Sequence, residues 1–166
     1  MTLQPLAVFL CGLLLCASST SWAQFGGEEA EWKEADLSPP PAFDAGKIVT
    51  FEVSPYSSLV YGVDPASITI SKSDGVVRYV MVARNASGAS NVLYEGIRCA
   101  TGEFKTYARY APDGRWTMLE NPQWRSLHDP MPSKHVLRFA KAGACDGAAP
   151  PSSVQALVDR LKNTGR

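Results

Sequence analysis

The chain has 166 residues, equal numbers of Lys plus Arg and Asp plus Glu at 16 each, 45% hydrophobic residues and four cysteines. That length suits one domain and supplies enough apolar side chains to bury a core. A formal charge of zero without a dense Lys/Arg stripe gives no footing to a nucleic-acid binder, which must neutralise phosphates.

The first 23 residues read as a secretory signal peptide. An apolar run from Leu6 to Ala17 leads into Ser18 to Ser21 and then Ser21-Trp22-Ala23 before Gln24, with small residues at the two positions a signal peptidase inspects. The run is too short to cross a bilayer. Met1 to Pro5 lacks lysine and arginine, which departs from the usual pattern. A competing reading takes Leu13-Leu14-Leu15-Cys16 as a lipid-attachment sequence, which would tether the chain to a membrane at Cys16; the bulky Leu15 disfavours it.

Residues 24–45 form an acidic arm. Glu28, Glu29, Glu31, Glu34, Asp36 and Asp44 stand against Lys33 alone, so residues 46–166 carry the balancing positive charge. Stiff Pro39-Pro40-Pro41 separates arm from body. Acidic, Pro-containing stretches are expected to be solvated linkers; Trp32 and Phe43 run against that expectation and suggest a strap docked on the body.

From Lys47 the pattern is of strands and short turns. Strands are expected over 47–53, 59–63, 67–72, 76–84, 91–99, 104–111 and 115–119, with an edge strand at 135–139. Asp74-Gly75 suits a two-residue hairpin turn. Gly96 sits where a bulge would bring Val92, Tyr94, Ile97 and Cys99 onto one face. Every connection is too short for a parallel crossover, so the body is expected to be an antiparallel meander. Val154, Leu157, Val158 and Leu161 then recur at helical spacing, predicting a helix over 153–163 with a capping box from Ser152 and Gln155. The fold class is α+β: an antiparallel sheet with a C-terminal helix packed on it.

If cleavage follows Ala23, Cys11 and Cys16 leave with the signal peptide, so Cys99 and Cys145 remain, and an oxidising compartment is expected to pair them. The alternative is a nucleophilic thiol at Cys99, beside Arg98, with His128 or His135 as base. Two histidines seven apart, without HExxH or CxxC, point to no metal. No GxSxG elbow and no phosphate loop stands in the chain, so neither serine-hydrolase chemistry nor a cofactor is expected. The functional hint is aromatic and basic: Tyr94, Arg98, Tyr107, Arg109, Trp116 and Trp124 form a candidate binding surface, since aromatics beside arginines stack on sugars, peptides or anionic polymers. The same residues serve equally as cross-strand packing.

Several stretches resemble the cryptic-neisserial-protein-like family of exported bacterial proteins: Trp32 with its Pro-rich sequel, Val63-Asp64-Pro65-Ala66-Ser67-Ile68, Gly75-Val76-Val77-Arg78-Tyr79, the block from Tyr94 to Glu103, and Asn121-Pro122-Gln123-Trp124. The resemblance implies a periplasmic location, in some members as a lipoprotein, and carries over no catalytic residue. The Asp-Pro-x-Ser-Ile strand, the strand ending in cysteine and the Asp-Gly turn are also similar to surface-adhesin-E-like proteins, which implies a helix on an antiparallel sheet; any adhesion would follow by analogy of fold alone. The expectation is a periplasmic, non-enzymatic module that binds an envelope protein or polymer, with a surface adhesin, or an enzyme using a cysteine or histidine, as the alternatives.

Overall fold

Runs of β-branched and aromatic residues broken by Ser-Pro, Asp-Pro, Asp-Gly and Pro-Asp-Gly fold into eight strands in the computed structural model, which describes residues 31–164. They are β1 (Val49–Phe51), β2 (Val60–Val63), β3 (Thr69–Ile70), β4 (Val76–Arg84), β5 (Ser90–Arg98), β6 (Glu103–Tyr110), β7 (Trp116–Met118) and β8 (Arg125–Ser126). Helix α1 (His135–Phe139) continues into a π-helical turn (Ala140–Ala144), and helix α2 (Val154–Thr164) follows. The expected signal peptide and the lipid-attachment reading of Cys16 lie outside the described residues.

All pairings are antiparallel, in the order β1-β2-β4-β5-β6-β7, with β3 continuing the β2 row along β4 and β8 continuing the β7 row along β6. β4 explains why the sheet needs cover on both sides. Val77, Tyr79, Met81 and Ala83 belong to one buried cluster and Val80 and Val82 to another, so neither face tolerates water. Helices cover the first face: Phe139 lies 4.5 Å from the Tyr79 ring and 5.3 Å from Phe51, while Leu157, Val158 and Leu161 of α2 are buried beside them. A bridge between Cys99 and Cys145, Cα atoms 5.7 Å apart, ties the entry to α2 to the end of β5.

The second face is covered by the chain before β1. Leu37, Phe43 and Ile48 pack on Val80, Val82, Val92, Tyr94, Tyr107 and Ala108, and Phe43 meets Tyr110 and Trp116 edge-on at 5.0 and 5.9 Å. A solvated linker is the expectation for the acidic arm; from Trp32 to Phe43 the chain instead lies along the sheet. Its apolar residues and one carboxylate find partners there.

Four local expectations are corrected. Residues 135–139 are helical, not an edge strand. Val136, Phe139, Ala140 and Ala144 share one buried stripe, a period that becomes visible only past Phe139. Ile70↔Val77 is the last strand pair, and of the six residues between them only Gly75 has positive φ, so Asp74-Gly75 is not a two-residue turn. Ser153, not Ser152, caps α2, accepting from Ala156 N–H at 3.1 Å. Finally, β5 pairs regularly through Gly96, and the bulge sits opposite: Tyr94 pairs with Ala108 and Glu95 with Thr106, leaving Tyr107 as the extra residue. The Tyr107 ring consequently lies over Gly96, where an added Cβ would come within 2.6 Å of its hydroxyl oxygen. Gly96 is a floor for an aromatic ring rather than a bulge.

Candidate functional site

The six residues of the predicted binding surface do not form one open surface. Tyr94 and Tyr107 are buried beneath the strap. Trp116 packs against Phe43, and the Arg98 guanidinium lies 3.8 Å over the Trp32 ring, which meets Trp124 edge-on at 5.8 Å. Arg109 points from the opposite face, into a groove with Leu93 and Glu95.

What gathers on the strap side is a box around Glu34. Its carboxylate accepts from Lys105 Nζ at 2.5 Å, Tyr107 Oη at 2.6 Å and Trp124 Nε1 at 3.2 Å, with Arg78 Nη2 at 3.5 Å. Burial raises the Glu34 carboxyl, but Lys105, Tyr107 and Trp124 outweigh that effect and hold it below its ordinary value. Asp74 anchors the start of the strap: its carboxylate accepts from Ala35 N–H at 2.9 Å and from Arg78 Nη2 at 2.6 Å, and its carbonyl accepts from Trp32 Nε1. Burial raises this carboxyl too, and Arg78 with Ser71, Ala35 and Val76 drives it far below the carboxylate range. Burial and Glu34 push the Tyr107 hydroxyl well up, so it stays a neutral donor. With both carboxylates fully engaged, this box is a lock.

The open chemistry lies on the helix face. Glu95 projects from the middle of β5 into the core face and is 1% exposed. It accepts from Tyr79 Oη at 3.2 Å and Thr106 Oγ1 at 3.1 Å, and His135 Nε2 stands 3.2 Å from both of its oxygens. A carboxylate survives such burial only when its lone pairs are filled. Burial first, then the Glu95 charge, pushes the Tyr79 hydroxyl well up and keeps it a donor. His135 is oriented by the start of α1 and by stacking on Tyr61 at 5.8 Å and 10°. Its Nδ1 lies 3.2 Å from Ser133 Oγ, but that oxygen also accepts the His135 N–H, a local turn contact just ahead of α1.

Above this base runs a groove of about 440 Å³ with apolar walls from Leu93, Phe104 and Met131 and a rim that includes Arg109 and Arg125. Arg125 is engaged by Asp129 at 3.3 Å. The arrangement provides a shaped apolar slot, a guanidinium at its edge and a hydrogen-bonded His–Glu pair at its floor. Among the described residues no three His, Cys, Asp or Glu side chains gather as a metal site. Cys99 and Cys145 are bridged, which removes a thiolate from both, and His128 lines a different cavity from His135.

The sequence reading does not single out Glu34, Glu95 or Thr106. For Glu95 the signal was present, since it is an acid inside an apolar strand. For Glu34 it was hidden among neighbouring acids of the arm.

The sequence pattern described as the CNP1-like family matches residues 27–162. The chain is 29% identical over 149 residues to "Cryptic neisserial protein 1" of Neisseria gonorrhoeae (strain ATCC 700825 / FA 1090), an alignment covering 80% of this chain and 72% of that protein. No solved structure matches. No helix among the described residues is long and apolar enough to cross a membrane. The matched segment reaches from before Trp32 to the last turn of α2, so it takes in strap, sheet, bridge and groove together, and the chain belongs to the CNP1-like family.

Proposed function

We propose that the protein is exported and acts in the bacterial periplasm as a non-enzymatic binding module, seating an envelope protein or polymer in the groove over Glu95 and His135. The observation that carries the reading is the groove itself: apolar walls beside a rim that holds Arg109 and Glu120 suit a ligand that presents an apolar group next to polar or charged ones. Three hydroxyl and imidazole partners hold the Glu95 floor in place, and pre-ordering of this kind lowers the entropy cost of binding. The Cys99–Cys145 bridge supports an oxidising compartment.

Of the residues first singled out for binding, Arg109 keeps that role; Tyr94, Tyr107 and Trp116 serve as packing beneath the strap. The test is in-cell photocrosslinking from Gln123, on the groove rim, compared with Lys162 on α2. A recurrent adduct from Gln123 that weakens in Arg109→Glu is expected. Equal adducts from both positions, or none from Gln123, would overturn the reading.

A further inference from the structure

The β1–β2 connection carries a feature that neither the core nor the groove uses. Among the described residues, the exposed large hydrophobic side chains are Tyr56, Leu59, Val60 and Met118. Three of these four stand together at the tip between β1 and β2, and Tyr56 is 96% exposed. The tip is not slack. Ser57 N–H donates to Ser54 O at 3.1 Å, Ser54 Oγ accepts from Tyr56 N–H at 3.3 Å, and Ser57 Oγ both receives Leu59 N–H and donates to Leu59 O. Its own hydrogen bonds therefore present the apolar groups outward.

Beside the tip runs a groove of about 560 Å³ shared by Tyr56 and three cations, Lys134, Arg138 and Lys141. These recur at i, i+4 and i+7 along the start of α1 and the π-helical turn, which places them on one side. No carboxylate lines the groove. Among the described residues Arg138 and Lys141 form no ion pair. Lys134 Nζ is turned onto Asp129 O, which neutralises no charge. On the other side of the tip, Val60 is paired in register with Arg84.

We infer that this tip and its cations dock the protein on an anionic phospholipid surface. The physical reason is the pairing of two complementary features. Apolar and phenolic groups held outward gain by entering the headgroup and acyl boundary, and adjacent cations gain by sitting at the negative surface. Tyrosine suits that boundary because its ring is apolar and its hydroxyl stays wet. Lys and Arg stems extend along apolar surface while their charged ends reach phosphate. Uncharged Ser-Pro-Tyr-Ser-Ser at residues 54–58 adds no acid to oppose the approach. This contact is distinct from the groove over Glu95, and it places that groove close to a membrane plane.

The test uses the processed chain obtained from a precursor carrying Cys16→Ser, so that no lipid can be attached, with leader removal checked by intact mass. It is sedimented with phosphatidylethanolamine vesicles containing about one-third phosphatidylglycerol, at about 0.1 M salt where fields still reach roughly 10 Å. Binding is expected, and none to vesicles of phosphatidylethanolamine alone. Each cation near such a surface accounts for about a five-fold gain, so Arg138→Gln with Lys141→Gln should weaken binding about 25-fold. Tyr56→Ser with Leu59→Ser should weaken it by at least about ten-fold. These positions lie on the surface, and unchanged near-ultraviolet circular dichroism would confirm that the variants fold. In Tyr56→Trp, emission of the new indole should shift to the blue on vesicle addition. Absence of binding, equal binding to both vesicle types, or variants that bind like the parent would overturn the proposal. Competition by a soluble anionic polysaccharide without an emission shift would assign the groove to a glycan and overturn it too. Glu95, His135 and Arg109 are untouched throughout, so failure here leaves the groove reading standing.

Discussion

Glu34 offers the sharpest test of how the strap is held. Glu34→Gln keeps the size of the side chain but removes the charge facing Lys105 and Arg78, and its one oxygen can accept from Tyr107 or from Trp124 but not from both, since these donate to Oε1 and Oε2 respectively. The Lys105 side chain is 13% exposed and that of Glu34 20%, so the pair is screened less than a surface ion pair, worth about 0–1 kcal/mol. It is also wetter than a fully buried pair, where loss of one partner costs about 3–5 kcal/mol. An intermediate destabilisation of about 2 kcal/mol is expected. Glu34→Ala also strands the buried Tyr107 hydroxyl, and an unsatisfied buried donor adds about 1–3 kcal/mol. Urea unfolding midpoints at unchanged m-value measure both differences.

The pH dependence separates charge from packing. The Glu34 carboxyl is held below its ordinary value, with burial opposed and outweighed by Lys105, Tyr107 and Trp124. Its stabilisation is therefore fully present above the unfolded glutamate pKa of about 4.3 and is lost as pH falls through the lower folded value. The gap between parent and Glu34→Gln should be constant near neutrality and close on the acid side. A gap below about 0.5 kcal/mol at neutral pH, or one that persists unchanged into acid, would refute the argument that a charged lock holds the strap.

Two further outcomes follow from the packing. Replacing both Cys99 and Cys145 by alanine should cost about 4 kcal/mol, from the chain entropy of a loop closed across a separation of 46 residues, and alkylation of the native, unreduced protein should label neither sulfur. Gly96→Ala places a methyl within 3.0 Å of both the Tyr107 ring and Val76, so overpacking should destabilise by about 1–3 kcal/mol; thermal unfolding reads this, and Tyr107→Leu in the same chain should relieve part of it.

The groove shows why half of the site escaped a linear reading. Glu95, Thr106 and His135 are 40 residues apart at the extremes and meet because antiparallel register sets Glu95 beside Thr106 and because α1 returns across that face. No spacing motif encodes such a meeting. The aromatic and basic cluster does not form one open surface for a related reason: Tyr94 and Tyr107 read as exposed only if nothing covers them, and the cover comes from more than 40 residues upstream.

Periodicity and turn chemistry, which act over a few residues, were enough to set the class of fold, the long strands β4 to β6 and the terminal helix, and the count of cysteines outside the expected leader set the pairing. These depend on local propensity and on which groups must leave water. Tertiary structure alone decided which face each covering element took, that Tyr107 rather than Gly96 carries the bulge, and that residues 135–139 coil instead of extending. Each of those outcomes turns on contacts between distant segments, where a ring, a carboxylate or a helix stripe finds its partner only after the chain has folded back on itself.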